Sequence, residues 1–246
     1  MKIGIMTDVH SNIQALRSVL KEFDNRKVEK IICCGDMIGI GINPEEVVQA
    51  LIERKNMLIA VLGNHEQYLL KGLPEYIHDD KRKMSIEECK NHKWNHSKLS
   101  KSSKEFLARL EISKTIEIEG KRIFLTHYPL KDDGTYKKHI KNPSLEENRV
   151  MFKGIDADIF LYGHTHTCSI NHIEEKWYIN TGALGCPMND NIAKAGILEI
   201  KNGKVEFKEI NVKYNAEEII EEMKKLKFPF YREILKIFYG YIWSWS

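Results

Sequence analysis

The chain has 246 residues, which suits one large domain with a modest extension and leaves too little for two full domains. Its 38 basic and 35 acidic residues give a formal net charge of +3 and are scattered along the chain, so no basic block points to nucleic acid as a partner. No run of about eighteen apolar residues occurs and no export signal precedes the first apolar strand, which argues against a membrane span and for a cytoplasmic location.

From residue 1 to about 65 the pattern alternates strand and helix, with apolar runs at residues 2–7, 30–34 and 57–62. Ala15, Leu16, Val19, Leu20 and Phe23 recur at helical spacing, and Asn43-Pro44-Glu45 reads as a cap followed by proline at the first helical position. This predicts parallel α/β organisation, with Cys33 and Cys34 packed inside a strand. Residues 66 to about 112 are polar and mostly helical, and Ser102-Ser103-Lys104-Glu105 resembles a capping box leading into Phe106, Leu107 and Leu110. They read as a helical insertion.

Strand signals return at residues 114–127, with a hairpin turn at Glu119-Gly120, and then at 158–164, 169–180 and 195–210, the last with an Asn202-Gly203 turn. The second half alternates more than the first and favours antiparallel pairing. A four-layer α/β/β/α sandwich of two mixed sheets flanked by helices, with a helical insertion, accommodates both halves. The domain is expected to span residues 1–213. Residues 214–246 form a helical, aromatic-rich extension that starts amphipathic and breaks at Pro229. Packing on the domain or a homo-oligomer contact is favoured for it over membrane contact, since few basic residues flank its Tyr and Trp side chains. The five cysteines, at 33, 34, 89, 168 and 186, make neither a C-x-x-C pair nor a regular framework, which suits reduced thiols.

Residue types that bind metals cluster where apolar strands stop: Asp8 and His10 as D-x-H, Asp36 after Gly35, G-N-H-E at residues 63–66, His127, and G-H-T-H at residues 163–166. A strand that ends on such a residue delivers its side chain to the carboxyl edge of a sheet, where open α/β folds place their ligand crevices. Glycine at 35, 63 and 163 lets the backbone turn and approach a ligand without a clashing Cβ. Nitrogen and oxygen donors without thiolate suit manganese, iron, cobalt or zinc, with manganese and iron favoured.

In this order, the motifs resemble the calcineurin-like metallophosphoesterase superfamily over residues 8–166, and Asn180-Thr181-Gly182 resembles its closing N-x-G segment. The resemblance implies a metal-dependent phosphoesterase with two divalent ions. It places Asp8, His10 and His166 on one ion, Asn64, His127 and His164 on the other, and Asp36 between them. A hydroxide bridging the ions would be the nucleophile. His65, with Asn64, would contact the substrate, and His65 would donate a proton or hydrogen bond to the leaving oxygen. The phosphatase branch carries a second aspartate three residues after the bridging one, where this chain has Gly39, and an arginine soon after, where it has Ile40-Gly41-Ile42. G-D-x-x-G-x-G followed by proline instead resembles small bacterial and archaeal phosphodiesterases. A small-molecule or nucleotide diester is therefore the favoured substrate. Protein or nucleotide monoesters and a non-catalytic scaffold are the alternatives.

His78, His92, His96, His139 and His172 lie in polar stretches or at the start of a hairpin and read as surface residues. His92 and His96 are one helical turn apart, but no Cys or acidic partner stands at a matching place, so a solvated helix face is expected there. Arg149, Lys153 and Lys137-Lys138-His139 are candidates for gripping phosphate, with solvated surface the favoured reading for each.

Overall fold

The computed structural model describes residues 1–77, 82–188 and 191–242. His78 and the last aromatic residues, Trp243 and Trp245, lie outside the described residues. In chain order the first elements are β1 (Lys2–Met6), α1 (Ile13–Asn25), β2 (Lys30–Cys33), α2 (Pro44–Ile52) and β3 (Leu58–Ala60). The next segment holds α3 (Asn64–Lys71), the two-residue strands β4 (Tyr76–Ile77) and β5 (Arg82–Lys83), α4 (Ile86–Ser97) and α5 (Lys101–Ala108). Then follow β6 (Ser113–Ile118), β7 (Lys121–Thr126), α6 (Leu145–Met151), β8 (Ile159–Leu161), β9 (Cys168–Ile173) and β10 (Lys176–Thr181). The chain closes with β11 (Ile192–Lys201), β12 (Lys204–Lys213), α7 (Ala216–Leu226) and α8 (Tyr231–Phe238).

Two five-stranded mixed sheets form, in the orders β12-β11-β1-β2-β3 and β6-β7-β8-β10-β9. Period-two alternation sorts their side chains. Ile3, Ile5, Ile32 and Cys34 face the second sheet, where they meet Ile123, Leu125, Ile159 and Ile179. Ile31 and Cys33 face the opposite way, toward Leu16, Val19 and Phe23 of α1. On the far side Met151 and Phe152 pack on Phe160, Tyr162 and Tyr178. This is the expected four-layer arrangement.

Both tight hairpins turn where expected: Glu119-Gly120 and Asn202-Gly203 all have positive φ, as a two-residue turn of that kind requires. Antiparallel pairing in the second half holds for β6-β7, β9-β10 and β11-β12, and β8 is the exception. β8 runs parallel to both β7 and β10, and β11 and β12 join the first sheet, β11 antiparallel to β1. β8 is the central strand of its sheet with all three residues buried, so it shows no alternation. The expected capping box at Ser102 is replaced by a simple cap: Ser100 caps α5, accepting from the Ser103 amide at 3.2 Å.

The C-terminal helices pack on the chain itself. Met223, Phe228, Ile234, Leu235 and Tyr239 are buried against Ile40, Ile42, Ala183 and Cys186. Asn12 ties this extension to the sheet edge: its Nδ2 donates to Gly185 O and to the Tyr214 hydroxyl at 3.0 Å each, while its Oδ1 caps α1. Among the described residues no helix is long and apolar enough to cross a membrane.

The loop after β2 is set by two buried side chains. Glu66, in the first turn of α3, accepts from the amides of Asp36, Met37, Ile38 and Gly63 at 2.8–3.0 Å. Asn95 of α4 accepts from the Gly39 amide and donates to Gly41 O, both at 3.0 Å. Replacing Glu66 with Gln turns an NH2 group toward amides that need an acceptor. The metal-free Glu66→Gln variant is therefore expected to lose about 3 kcal/mol in urea unfolding, and a loss below about 1 kcal/mol would show that the amides find other acceptors.

Candidate metal centre

Five strand-to-loop junctions deliver the candidate ligands to one edge of the sandwich. Asp8 and His10 follow β1, Asp36 follows β2, Asn64 opens α3 after β3, His127 follows β7, and His164 and His166 follow β8. Asp8, His10, Asp36, His164 and His166 all have positive φ, between 46° and 72°. Such backbone costs energy in residues with a Cβ and clusters where surrounding structure enforces a functional geometry. Close approach is also needed at Gly63, where a Cβ would stand 2.1 Å from Asp36 Oδ1.

The side chains meet as two groups joined by Asp36. In the first, His10 Nε2 lies 2.9 Å from His166 Nε2, and Asp8 Oδ1 stands 3.6 Å from the former and 3.4 Å from the latter. In the second, His127 Nε2 is 3.1 Å from both His164 Nδ1 and Asp36 Oδ2. The same Asp36 oxygen is 3.8 Å from His10 Nε2. Asn64 Oδ1 is buried and accepts no hydrogen bond among the described residues.

Hydrogen bonds behind the site fix which atoms face it. His127 Nδ1 donates to Cys34 O at 2.7 Å, which turns its Nε2 toward the site. Asp8 accepts from Thr7 Oγ1 at 2.8 Å and from the His164 amide at 3.0 Å, and Asp36 accepts from the His65 amide at 3.0 Å. Burial pushes both carboxyls up, yet neighbouring imidazoles, His166 beside Asp8 and His127 beside Asp36, outweigh it and hold both well below the usual carboxylate range. Burial pulls His127 down, but the Asp36 carboxylate raises it to about 9. Buried, ionised carboxylates among converging imidazole nitrogens, with an unpartnered amide oxygen beside them, fit divalent cations.

His65 faces this cluster, with Nε2 3.9 Å from Asp36 Oδ2. Burial and the neighbouring His10 and His92 hold its pKa well below the ordinary value despite Asp36, so the ring is a neutral donor of one hydrogen bond. The ring occupies the space over Gly39: a Cβ there would lie 1.9 Å from His65 Nδ1, and Gly39 has φ +83°. An aspartate at this position is incompatible with the ring as placed.

Four residues near the site depart from the sequence reading or were not assigned by it. His92 is buried, not on a solvated face, and its ring centroid is 5.0 Å from that of His65. His96 is half-buried behind it, at 6.0 Å. His139 is drawn in from the loop after β7, with Nε2 2.7 Å from His164 Nε2. Cys186 brings its thiol to His10 and His166, all three ligand atoms lying within 4.8 Å of one another, so the donor set includes a sulfur that the sequence reading left out. The buried face of α4 carries Asn91, His92 and Asn95, polar residues that no hydrophobic periodicity marks. Cys186 had a usable signal in its place just after Asn180-Thr181-Gly182.

The other candidates stay outside. His172 is exposed and stacks on Trp177 at 4.4 Å. Arg149 is exposed beside Glu146, Lys138 and Lys153 are exposed, and half-buried Lys137 donates to Met151 O at 2.6 Å. Two cavities adjoin the cluster and share Asn64 and Tyr68. One, of about 440 Å³, is bordered by Gln67, Lys131, Thr135 and Tyr136; the other, of about 200 Å³, lies against His65 and His92.

Residues 1–203 match the calcineurin-like phosphoesterase superfamily domain. Among curated relatives, the uncharacterized protein MJ0912 of Methanocaldococcus jannaschii is 29% identical, over 92% of this chain and 93% of its own length. The phosphodiesterase MJ0936 of the same organism is 26% identical over 85% of this chain and 98% of its own length. Among solved structures, the hypothetical protein PH1004 from Pyrococcus horikoshii OT3 superposes with a TM-score of 0.80 at 19% identity, covering 96% of this chain and 97% of that one. A metallophosphoesterase from Sphaerobacter thermophilus, at 21% identity and the same coverage of both chains, gives a TM-score of 0.70. The chain thus belongs to the calcineurin-like phosphoesterase superfamily and is a metal-dependent phosphoesterase.

Proposed function

We propose that this protein hydrolyses a phosphodiester of a small molecule or nucleotide, using two divalent transition-metal ions. The observation that carries this reading is Asp36 Oδ2 standing between His127 at 3.1 Å and His10 at 3.8 Å, so that one carboxylate faces both histidine groups. Asp8, His10 and His166 would hold one ion, and Asn64, His127 and His164 the other. When bound, the ions supply neutralisation of phosphoryl charge and activation of the attacking water. Cys186 beside His10 and His166 adds a soft donor, which supports iron or zinc at that end.

The protein's own groups then have distinct tasks. Asp36 would align both halves of the site through its single carboxylate. His139, held against His164, would fix that ring's orientation. His65 would donate a hydrogen bond to the departing oxygen, since it faces the cluster on one side and a cavity on the other. Five free cysteines fit a reducing, cytoplasmic setting.

Two features support a diester over a monoester. The site is flanked by two cavities, and a diester has two substituents to place. No arginine follows Asp36 in the loop, and Gly39 leaves no carboxylate there to stabilise a charged His65. MJ0936 and the Escherichia coli relative YfcE are both named phosphodiesterases.

Protein stripped with a chelator and reloaded with manganese, iron, zinc or cobalt is expected to cleave bis-nitrophenyl phosphate faster than nitrophenyl phosphate. Faster monoester cleavage would reverse the substrate assignment. Asp36→Ala and His127→Ala should each lower kcat/KM by at least about a hundredfold, and unchanged rates would favour a non-catalytic scaffold.

Installing the phosphatase-type aspartate should not convert the enzyme. Gly39→Asp is expected to lose about a hundredfold in diester turnover, the lower range for a positioned proton donor, because the new side chain displaces His65. A gain in monoester cleavage would show that the loop can rearrange.

A further inference from the structure

We propose that the cavity against His65 binds an apolar, aromatic-sized substituent of the phosphoester, with the C-terminal helix α8 as its outer wall. The inference rests on the phosphoesterase reading above and specifies what that site accepts. The cavity is about 200 Å³, comparable to the roughly 150 Å³ that suffices for a benzene ring in a protein interior.

Three separate parts of the chain supply its walls. Ile40 comes from the loop after Asp36, Ile77 and Met84 from the insertion, and Phe230, Ile234 and Phe238 from the C-terminal extension. At its inner end lies His65, whose opposite side faces Asp36 at 3.9 Å, so a group seated in the cavity is one imidazole away from the candidate metal ligands. Phe238 also lies 5.7 Å from the His166 ring, which places α8 at the rim of the centre itself.

The two charged groups on the cavity's lining pair with each other. Its lining includes Arg82, whose guanidinium is engaged by Glu88 through bonds of 2.7 and 2.9 Å, so the cation is already neutralised by a carboxylate on the same wall. The larger cavity across Tyr68 is bordered by Lys131 and Asp133 but also by Pro74, Tyr76 and Tyr136, and is the alternative place for such a group.

Calorimetric binding of phenylphosphonate and methylphosphonate to the full-length, metal-loaded protein separates this proposal from the activity. The phenyl compound is expected to bind at least about tenfold more tightly, as burial of one ring face in an apolar site predicts. Phe238→Ala, at a half-exposed position that the fold can spare, and Ile77→Ala should each cut that preference to within about threefold. Tyr76→Ala, which borders only the larger cavity, should leave it intact. Equal affinities in the unaltered protein, a preference that survives both cavity variants, or one lost in Tyr76→Ala would overturn the proposal. Hydrolysis of nitrophenyl esters reports separately on the phosphoesterase reading: activity without phenyl preference sinks the cavity alone, and phenyl preference without activity sinks the reaction alone.

Discussion

The carboxylate of Glu66 is the constraint on which the site depends. It is fully buried and takes four backbone amides, three from the loop that carries Asp36 and one from Gly63. A single side chain thereby locks the end of β2 to the start of α3, and with it Asp36 to Asn64 and His65. Burial and the nearby Asp36 charge both push the Glu66 pKa up, while the amides of Ile38 and Gly63 pull it back. Two buried anions this close are tolerable only because each faces compensating groups: amides surround Glu66, and imidazoles surround Asp36.

That lock also explains how the backbone strain persists. Left-handed conformation costs a residue with a Cβ about 1–2 kcal/mol, and five of the seven candidate ligands adopt it. Each is held by at least one hydrogen bond to its own backbone. The amides of Asp8 and His10 donate to Gly35 O and Asp36 O at 3.1 and 2.9 Å, and the His164 amide is taken by Asp8. The ligand loops after β1, β2 and β8 therefore brace one another rather than standing singly, and rigidity is what a site for two ions requires.

Much of this was legible in the sequence, for a local reason. A strand that ends on a metal-binding residue type, with glycine beside it at Asp36, Asn64 and His164, is a short-range pattern, so the junctions at Asp8, Asp36, Asn64, His127 and His164 could be read without knowing what lay beside them. The parallel first half and both tight hairpins were legible on the same grounds. What escaped reading was set by packing between distant segments. His139 and Cys186 reach the centre from loops that carry no periodic signal, and β8 hides its parallel pairing because every residue in it is buried. For the C-terminal extension, packing on the domain and contact with a second copy could not be told apart, because amphipathicity shows that a face is covered without showing what covers it.

Helix α4 makes the same point about mechanism. Its composition reads as solvated, yet Asn91, His92 and Asn95 share a face and are buried, since residues three and four apart on a helix are neighbours. Asn95 holds the Gly39 amide, and His92 stands over the ring that fills the space above Gly39. The glycine, the histidine above it and the helix behind them form one arrangement. With no Cβ at position 39, His65 settles into a largely buried place beside His10 and His92 where its neutral form is favoured, and no carboxylate stands at position 39 to stabilise a cationic one. The departure at Gly39 is thus coupled to the insertion: changing the loop without α4 would leave His65 without its packing, and changing α4 without the loop would leave the Gly39 amide without its acceptor.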